Sequence, residues 1–170
     1  FGIATTLRPL RFDVAGGAAL QLHELGGSHG PQRTGGKTWD SAFVLAAWLA
    51  EHASDVRGRR VIELGSGTGL AGLSAAALGA SATLTDEHPD VLALHATNID
   101  ANAATLADAG GRARSRRLRW GCASDIAGAL GGGGRYDLCL GSDVVYFPGM
   151  HAELLGTMRA LAARTLLAYP

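Results

Sequence analysis

The chemistry-bearing run of this chain is Val61-Ile62-Glu63-Leu64-Gly65-Ser66-Gly67-Thr68-Gly69. An apolar run leads into a turn with glycine at every second position, and an Ala/Leu-rich stretch follows at once. That order makes a cradle for a nucleotide-type cofactor. Glycines let backbone approach a ligand closely, and the first turn of a helix offers unpaired N–H groups. A literal G-x-G-x-x-G is also present, as Gly67-Thr68-Gly69-Leu70-Ala71-Gly72. In the dinucleotide fingerprint, however, the first glycine directly follows the strand. Here that residue is Gly65, and in its frame position 70 is leucine where the third glycine belongs. The frame that fits is Glu63-x-Gly65-x-Gly67-x-Gly69. Asp86 closes the next apolar run, about 20 residues beyond the first glycine, where a carboxylate accepts hydrogen bonds from ribose hydroxyls. A cap for the following helix is the alternative role for Asp86.

Positioning these residues requires strands that end, and helices that begin, at the right places. Hydrophobic periodicity predicts strands over 60–64, 81–85, 136–142 and 165–169 and near 114–120, with helices over 70–78, 90–103 and 150–162. A further helix starts at Thr38, with Val44, Leu45, Trp48 and Leu49 on one face and Thr38 or Asp40 as its cap. Strands alternating with helices imply right-handed βαβ units. The expected class is therefore α/β: a Rossmann-like, doubly wound, mainly parallel sheet with helices on both faces. Such a sheet binds ligands at the carboxyl ends of its strands, and Gly65, Asp86, Trp120 and Asp143 all fall there.

Residues 1–37 read as an N-terminal extension to a domain over 38–170. It holds two short strands, 11–14 and 19–23, around Gly16-Gly17, then a polar, mobile loop over 26–37. Gly131–Gly134 reads as a flexible loop. The chain opens at Phe1 and closes at Tyr169-Pro170 after a strand-like run, which reads as a C-terminally truncated domain lacking its last strands.

At 170 residues and 47% hydrophobic content, one domain with a sizeable core is expected. Lys+Arg and Asp+Glu both number 15, and zero net charge argues against wrapping nucleic acid by bulk charge. The two cysteines, Cys122 and Cys139, form no C-x-x-C pair. They read as buried thiols in a reducing compartment, the cytoplasm with the nucleus as a second location, with no metal site. No apolar run approaches the roughly 18 residues of a membrane helix. The six histidines show no ligand-like spacing and read as structural or surface groups.

The Glu63-x-Gly65-x-Gly67-x-Gly69 frame resembles motif I of class I S-adenosylmethionine-dependent methyltransferases. Gly141-Ser142-Asp143-Val144-Val145-Tyr146-Phe147 carries Asp-x-x-Tyr at a strand end, which resembles the hallmark of methyltransferase family 16, the protein-lysine methyltransferases. Gly36-Lys37-Thr38-Trp39-Asp40, Asn98-Ile99-Asp100-Ala101-Asn102 and Leu118-Arg119-Trp120-Gly121 resemble further elements of that family in the same order, over roughly 35–169. The resemblance implies S-adenosyl-L-methionine as cofactor, contacted by Trp39, Gly65, Ser66, Gly67, Asp86, Trp120 and Ser142, with Glu63 near its methionine amine. It implies Asp143 and Tyr146 facing a protein acceptor, such as a chaperone or elongation factor, on a monomeric enzyme. Arg119 departs from the family, which carries an acidic residue there. The asparagines also admit a bland reading as solvated side chains, and Trp48 one as core.

A lysine acceptor sets the chemical problem. Its ordinary pKa of about 10.4 makes deprotonation at pH 7 cost on the order of 4–5 kcal/mol. A neighbouring carboxylate favours the ammonium form, so Asp143 cannot help by lowering that pKa. Its implied role is to aim the neutral amine and to stabilise the charge that grows on nitrogen during transfer. Tyr146 adds an aromatic wall. Adenine methyltransferases carry two prolines where Val144-Val145 stand, which argues against a flipped-base substrate. Arg112, Arg114, Arg116, Arg117 and Arg119 read as protection of an edge strand, with an acidic-peptide or RNA patch as the alternative. An NAD(P)-binding oxidoreductase and a catalytically inactive scaffold are the competing functional readings.

Overall fold

The computed structural model describes residues 7–14, 19–26 and 34–170. In chain order the elements are β1 (Leu7–Asp13), β2 (Ala19–Leu25), α1 (Asp40–Glu51), β3 (Arg60–Leu64), α2 (Leu70–Ala77), β4 (Ser81–Asp86), α3 (Pro89–Ala101), α4 (Ala103–Asp108), β5 (Arg112–Arg117), α5 (Ala123–Leu130), β6 (Tyr136–Ser142), α6 (His151–Leu161) and β7 (Ala162–Ala168). The hairpin β1–β2 is antiparallel, with Leu10 opposite Leu22. The other strands form one sheet in the order β5-β4-β3-β6-β7, and every neighbouring pair is parallel. The chain winds outward from β3 to β5, then returns to the other side of β3 as β6 and β7. The reversal between β3 and β6 is where such a sheet leaves a crevice beyond its carboxyl ends.

Alternation along β3 divides the core. Val61 joins a cluster with Leu45, Leu49, Leu73 and the hairpin's Leu20 and Leu22. Ile62 and Leu64 join Tyr136, Leu154, Met158 and Leu161 on the other face. The buried stripe of α1 is Ala42, Leu45, Ala46 and Leu49, one turn apart as a 3.6-residue period requires. Val44 is not on it: at 65% exposure it lies on the outer face. Trp48 is only half-buried, and its ring stacks on His52 at 3.9 Å between centroids.

Several boundaries differ from the sequence expectation. The helix expected over 90–103 breaks at Asn102, which leaves helical geometry at φ −112°. β5 ends at Arg117, so Trp120 lies in the turn beyond the strand. α5 was not expected: it spans only 8 residues, and its large apolar residues are Ile126 and Leu130 alone. Gly131–Gly133 is a 3-10 turn. The Arg60 guanidinium holds it, donating to the carbonyls of Gly133, Gly134 and Arg135 while lying 4.7 Å over the Tyr136 ring. Gly16-Gly17 and residues 27–33 lie outside the described residues. Cys122 is half-exposed at the start of α5 rather than buried; Cys139 is buried, and both thiols are free. β5 is an edge of the sheet, and its arginines suit an edge that must resist pairing with another chain.

The asparagines are not solvated. Asn98 and Asn102 are fully buried and stand in for a strand against the free edge of β2. Asn102 accepts from Gln21 N–H at 2.8 Å and donates to Gln21 C=O at 2.7 Å. Asn98 accepts from His23 N–H at 2.7 Å and donates to the carbonyls of His23 at 3.2 Å and Thr68 at 2.9 Å. One helical turn between the two amides matches two residues of strand, so hairpin, helix and glycine turn are joined at one point. Asn98→Ala leaves these backbone groups without partners and is expected to lower the unfolding free energy by about 2–4 kcal/mol in urea titration. A loss below about 1 kcal/mol would contradict this role.

Candidate active site

β3 runs into a turn in which Gly65, Gly67 and Gly69 take φ of 59°, 53° and 84°. Side chains are excluded at all three by crowding as well as by conformation; a Cβ on Gly69 would lie 2.8 Å from Leu84 Cδ1. A Cβ on Gly65 would lie 2.9 Å from Val144 Cγ1 and 3.2 Å from Trp120 Cζ2, and one on Gly67 would lie 3.1 Å from the Gly35 carbonyl oxygen. Beneath the turn, Ser66 donates both its N–H and its hydroxyl to the Thr85 carbonyl, at 2.9 and 3.1 Å. His95 closes the floor. Its Nε2 lies 2.8 Å from the Gly67 carbonyl and its Nδ1 2.9 Å from Ser115 Oγ. The carbonyl requires the Nε2–H tautomer, so Nδ1 accepts from Ser115.

Above the turn opens a cavity of about 770 Å³, lined by Trp39, Gly65, Ser66, Gly67, Asp86, Trp120, Ser142, Asp143 and Tyr146. Nine of the ten residues singled out from the sequence thus meet at the β3/β6 reversal. Asp86, the last residue of β4, accepts from Gly67 N–H at 3.4 Å and from His88 N–H at 3.1 Å. It therefore braces the glycine turn and the entry to α3 while facing the cavity. Burial pushes its carboxyl above the ordinary value, against the opposing effect of these backbone bonds. Trp39 is held by its indole N–H, which donates to the Thr34 carbonyl at 2.9 Å. Trp39, Tyr146 and Phe147 are 46%, 67% and 57% exposed and form an aromatic rim on the open side.

Glu63 is the exception. It is buried and does not line the cavity. Its side chain turns under α2, where Oε2 accepts from Gly72 N–H at 2.8 Å and Oε1 has no partner. It caps α2 from the strand and so holds the helix that follows the turn. Burial, reinforced by Asp86, pushes its carboxyl up to about 8.

The start of α1 also departs from expectation. Thr38 bonds Thr68 through its hydroxyl at 2.9 Å rather than capping. The cap comes from Asp143, whose Oδ2 accepts from Ser41 N–H at 3.2 Å and whose Oδ1 accepts from Ser41 Oγ at 2.9 Å. Asp143 is the only non-glycine residue with positive φ among the described residues, at 53°. Arg119 lines the cavity but is clamped on Asp125, with Nε 2.8 Å and Nη2 3.2 Å from the two carboxylate oxygens. Three contributors carried no usable signal in the sequence: Thr34 and Gly35 over the turn, buried His95, and Ser41. Among the described residues no His, Cys, Asp or Glu cluster suits a metal ion, and no helix is long and apolar enough to cross a membrane.

A five-stranded parallel sheet wound from its centre, with a glycine turn after the central strand and an acidic end on its neighbour, is the Rossmann-like fold of class I methyltransferases. A methyltransferase from Agrobacterium tumefaciens superposes with TM-score 0.61 over 96% of this chain and 51% of its own, at 20% identity. The T. thermophilus 16S rRNA N2 G1207 methyltransferase, solved with AdoMet and guanosine, superposes at 0.58 over 84% and 34%, at 23% identity. The family model for lysine methyltransferases matches residues 18–169, and the chain belongs to that family. EEF1A lysine methyltransferase 3 of Mus musculus is 40% identical over 125 residues, 74% of this chain and 50% of that protein. Protein N-lysine methyltransferase METTL21A of Danio rerio is 40% identical over 128 residues, 74% and 54%. The chain spans about half the length of these curated relatives.

Two buried titratable groups, Glu63 and His95, tie stability to pH with opposite signs. Burial lowers His95 to about 4, so its contribution is complete above the ordinary value of 6.5 and is lost as pH falls toward 4. Glu63, raised to about 8 from 4.5, contributes fully below 4.5 and loses that contribution as pH rises toward 8. Glu63→Gln mimics the protonated acid. Between pH 6.5 and 8 the wild type is expected to lose about 1.5 kcal/mol more unfolding free energy than this variant. Parallel curves would show that Glu63 is not protonated when folded.

Proposed function

We propose that this chain transfers a methyl group from S-adenosyl-L-methionine to a lysine side chain of a protein acceptor. The observation that carries this reading is the convergence of nine residues, from the ends of β3, β4 and β6, the turn after β5 and the start of α1, on one cavity floored by glycines. The cradle fits the cofactor: side chains on Gly65 or Gly67 would crowd it, and the Asp86 carboxylate lines it, where it would accept from ribose hydroxyls. Trp39, Gly65, Ser66, Gly67, Asp86, Trp120 and Ser142 would hold the cofactor, and Glu63 would act behind them through α2. When bound, the cofactor supplies an electrophilic methyl group on a sulfonium that leaves as a neutral thioether.

Asp143 and Tyr146 then serve the acceptor. Asp143 accepts a hydrogen bond from the neutral amine, aims its lone pair, and stabilises the positive charge as it develops on nitrogen. Tyr146, with Trp39 and Phe147, walls the lysine chain and contributes roughly 0.5–2 kcal/mol of cation–π attraction. Residues 38–170 carry the transfer site, and the preceding segment supports it through β2, whose Leu20 and Leu22 join the core. In this reading the chain acts as a monomer in the cytoplasm, with the nucleus as a second location. The relatives' names, which include a calmodulin-lysine N-methyltransferase of Arabidopsis thaliana, support a protein acceptor. The frame of the glycines and the family together weigh against NAD(P).

Incubation with labelled S-adenosylmethionine and cell lysate is expected to label a discrete protein band on lysine. Asp143→Asn is expected to cut that labelling by about 100-fold while calorimetric binding of S-adenosylhomocysteine survives. Undiminished labelling by the variant would remove Asp143 from the reaction.

A further inference from the structure

We infer that Ser41 is the positioning residue for Asp143, fixing where its carboxylate points and so setting the rate of transfer. The inference rests on the reading of Asp143 as the group that meets the acceptor amine. Ser41 is buried and does not line the cavity, so it acts through its neighbour. The Asp143 backbone is already fixed: it follows β6 directly, its N–H donates to the Ala168 carbonyl of β7 at 2.9 Å, and its φ is 53°. A short side chain leaving such a backbone at an open cavity would otherwise rotate toward water. Ser41 prevents this with two donors from one residue, its N–H on Oδ2 and its hydroxyl on Oδ1. Two bonds to two oxygens fix both the direction and the plane of the carboxylate. Each oxygen retains acceptor capacity, because Ser41 occupies one site on each. That remaining capacity is available to an amine in the cavity. Ser41 also sits in the first turn of α1, whose partial positive charge faces the carboxylate.

A helix cap with no bearing on transfer would use the same backbone N–H but would not need the hydroxyl. Ser41→Ala keeps the N–H and removes the hydroxyl, and Ser41→Thr keeps both. The assay is the initial rate of label transfer from S-adenosylmethionine into lysate protein, at limiting and at saturating lysate, beside S-adenosylhomocysteine affinity and Tm. Ser41→Ala is expected to lower the saturated rate by about tenfold, leaving cofactor affinity and half-saturating lysate within about twofold. Ser41→Thr should return the rate to within about threefold of wild type. In an Asp143→Asn background, Ser41→Ala should have no further effect, since the two act as one unit. A saturated rate for Ser41→Ala within about twofold of wild type would overturn the inference, and so would a loss that simply adds to that of Asp143→Asn. A wild-type rate in Asp143→Asn alone would instead overturn the reading of Asp143 on which the inference stands.

Discussion

Carboxylates at the carboxyl ends of parallel strands hold the backbone N–H groups that open the helices and the glycine turn, and the site depends on that arrangement. The first four N–H groups of any α-helix lack partners within the helix. Here one of them in α1 and one in α2 are met by carboxyl groups at strand ends. Glu63 at the end region of β3 takes Gly72 N–H in α2, and Asp143 after β6 takes Ser41 N–H in α1. Asp86 at the end of β4 takes Gly67 N–H in the turn and His88 N–H before α3. Each bond ties a strand end to a neighbouring connection, so hydrogen bonds from carboxyl groups to backbone set the cavity walls relative to one another.

The arrangement concentrates ionisable groups in a poorly solvated place. Glu63 and Asp86 are both raised by burial, and Glu63 further by its acidic neighbour. Two carboxylates behind one glycine turn are tolerated because Glu63 holds its proton while Asp86 is compensated by backbone donors. His95 meets the same constraint by staying neutral, donating to Gly67 and accepting from Ser115. These buried groups keep the backbone of the turn in one conformation, and the residues facing the cavity inherit that geometry.

What could be read from the sequence followed from range along the chain. Parallel strands buried on both faces appear as continuous apolar runs, so the ends at Leu64, Asp86 and Ser142 were legible, and with them most of the cavity. The frame of Gly65, Gly67 and Gly69 was legible because only backbone with positive φ uses glycine in that pattern. What escaped were contacts between distant residues. Asn98 and Asn102 meet partners 75 and 81 residues upstream, and Ser41 meets Asp143 across 102. A polar residue on a helix is read as solvated unless its partner is known. Glu63 was placed on the right strand, but alternation assigns only a face, and its carboxyl turned under α2 instead of reaching the cavity. α5 escaped because it is short and holds only two large apolar residues, Ile126 and Leu130.

The central claim is that these strand ends form a pocket for an adenosyl cofactor. Its most direct test is calorimetric titration of the chain with S-adenosylhomocysteine and, separately, with NAD. The account predicts saturable one-to-one binding of S-adenosylhomocysteine, abolished by Gly65→Val in a protein that still folds, and no binding of NAD. A folded wild-type chain that ignores S-adenosylhomocysteine, or binds NAD in its place, would contradict it.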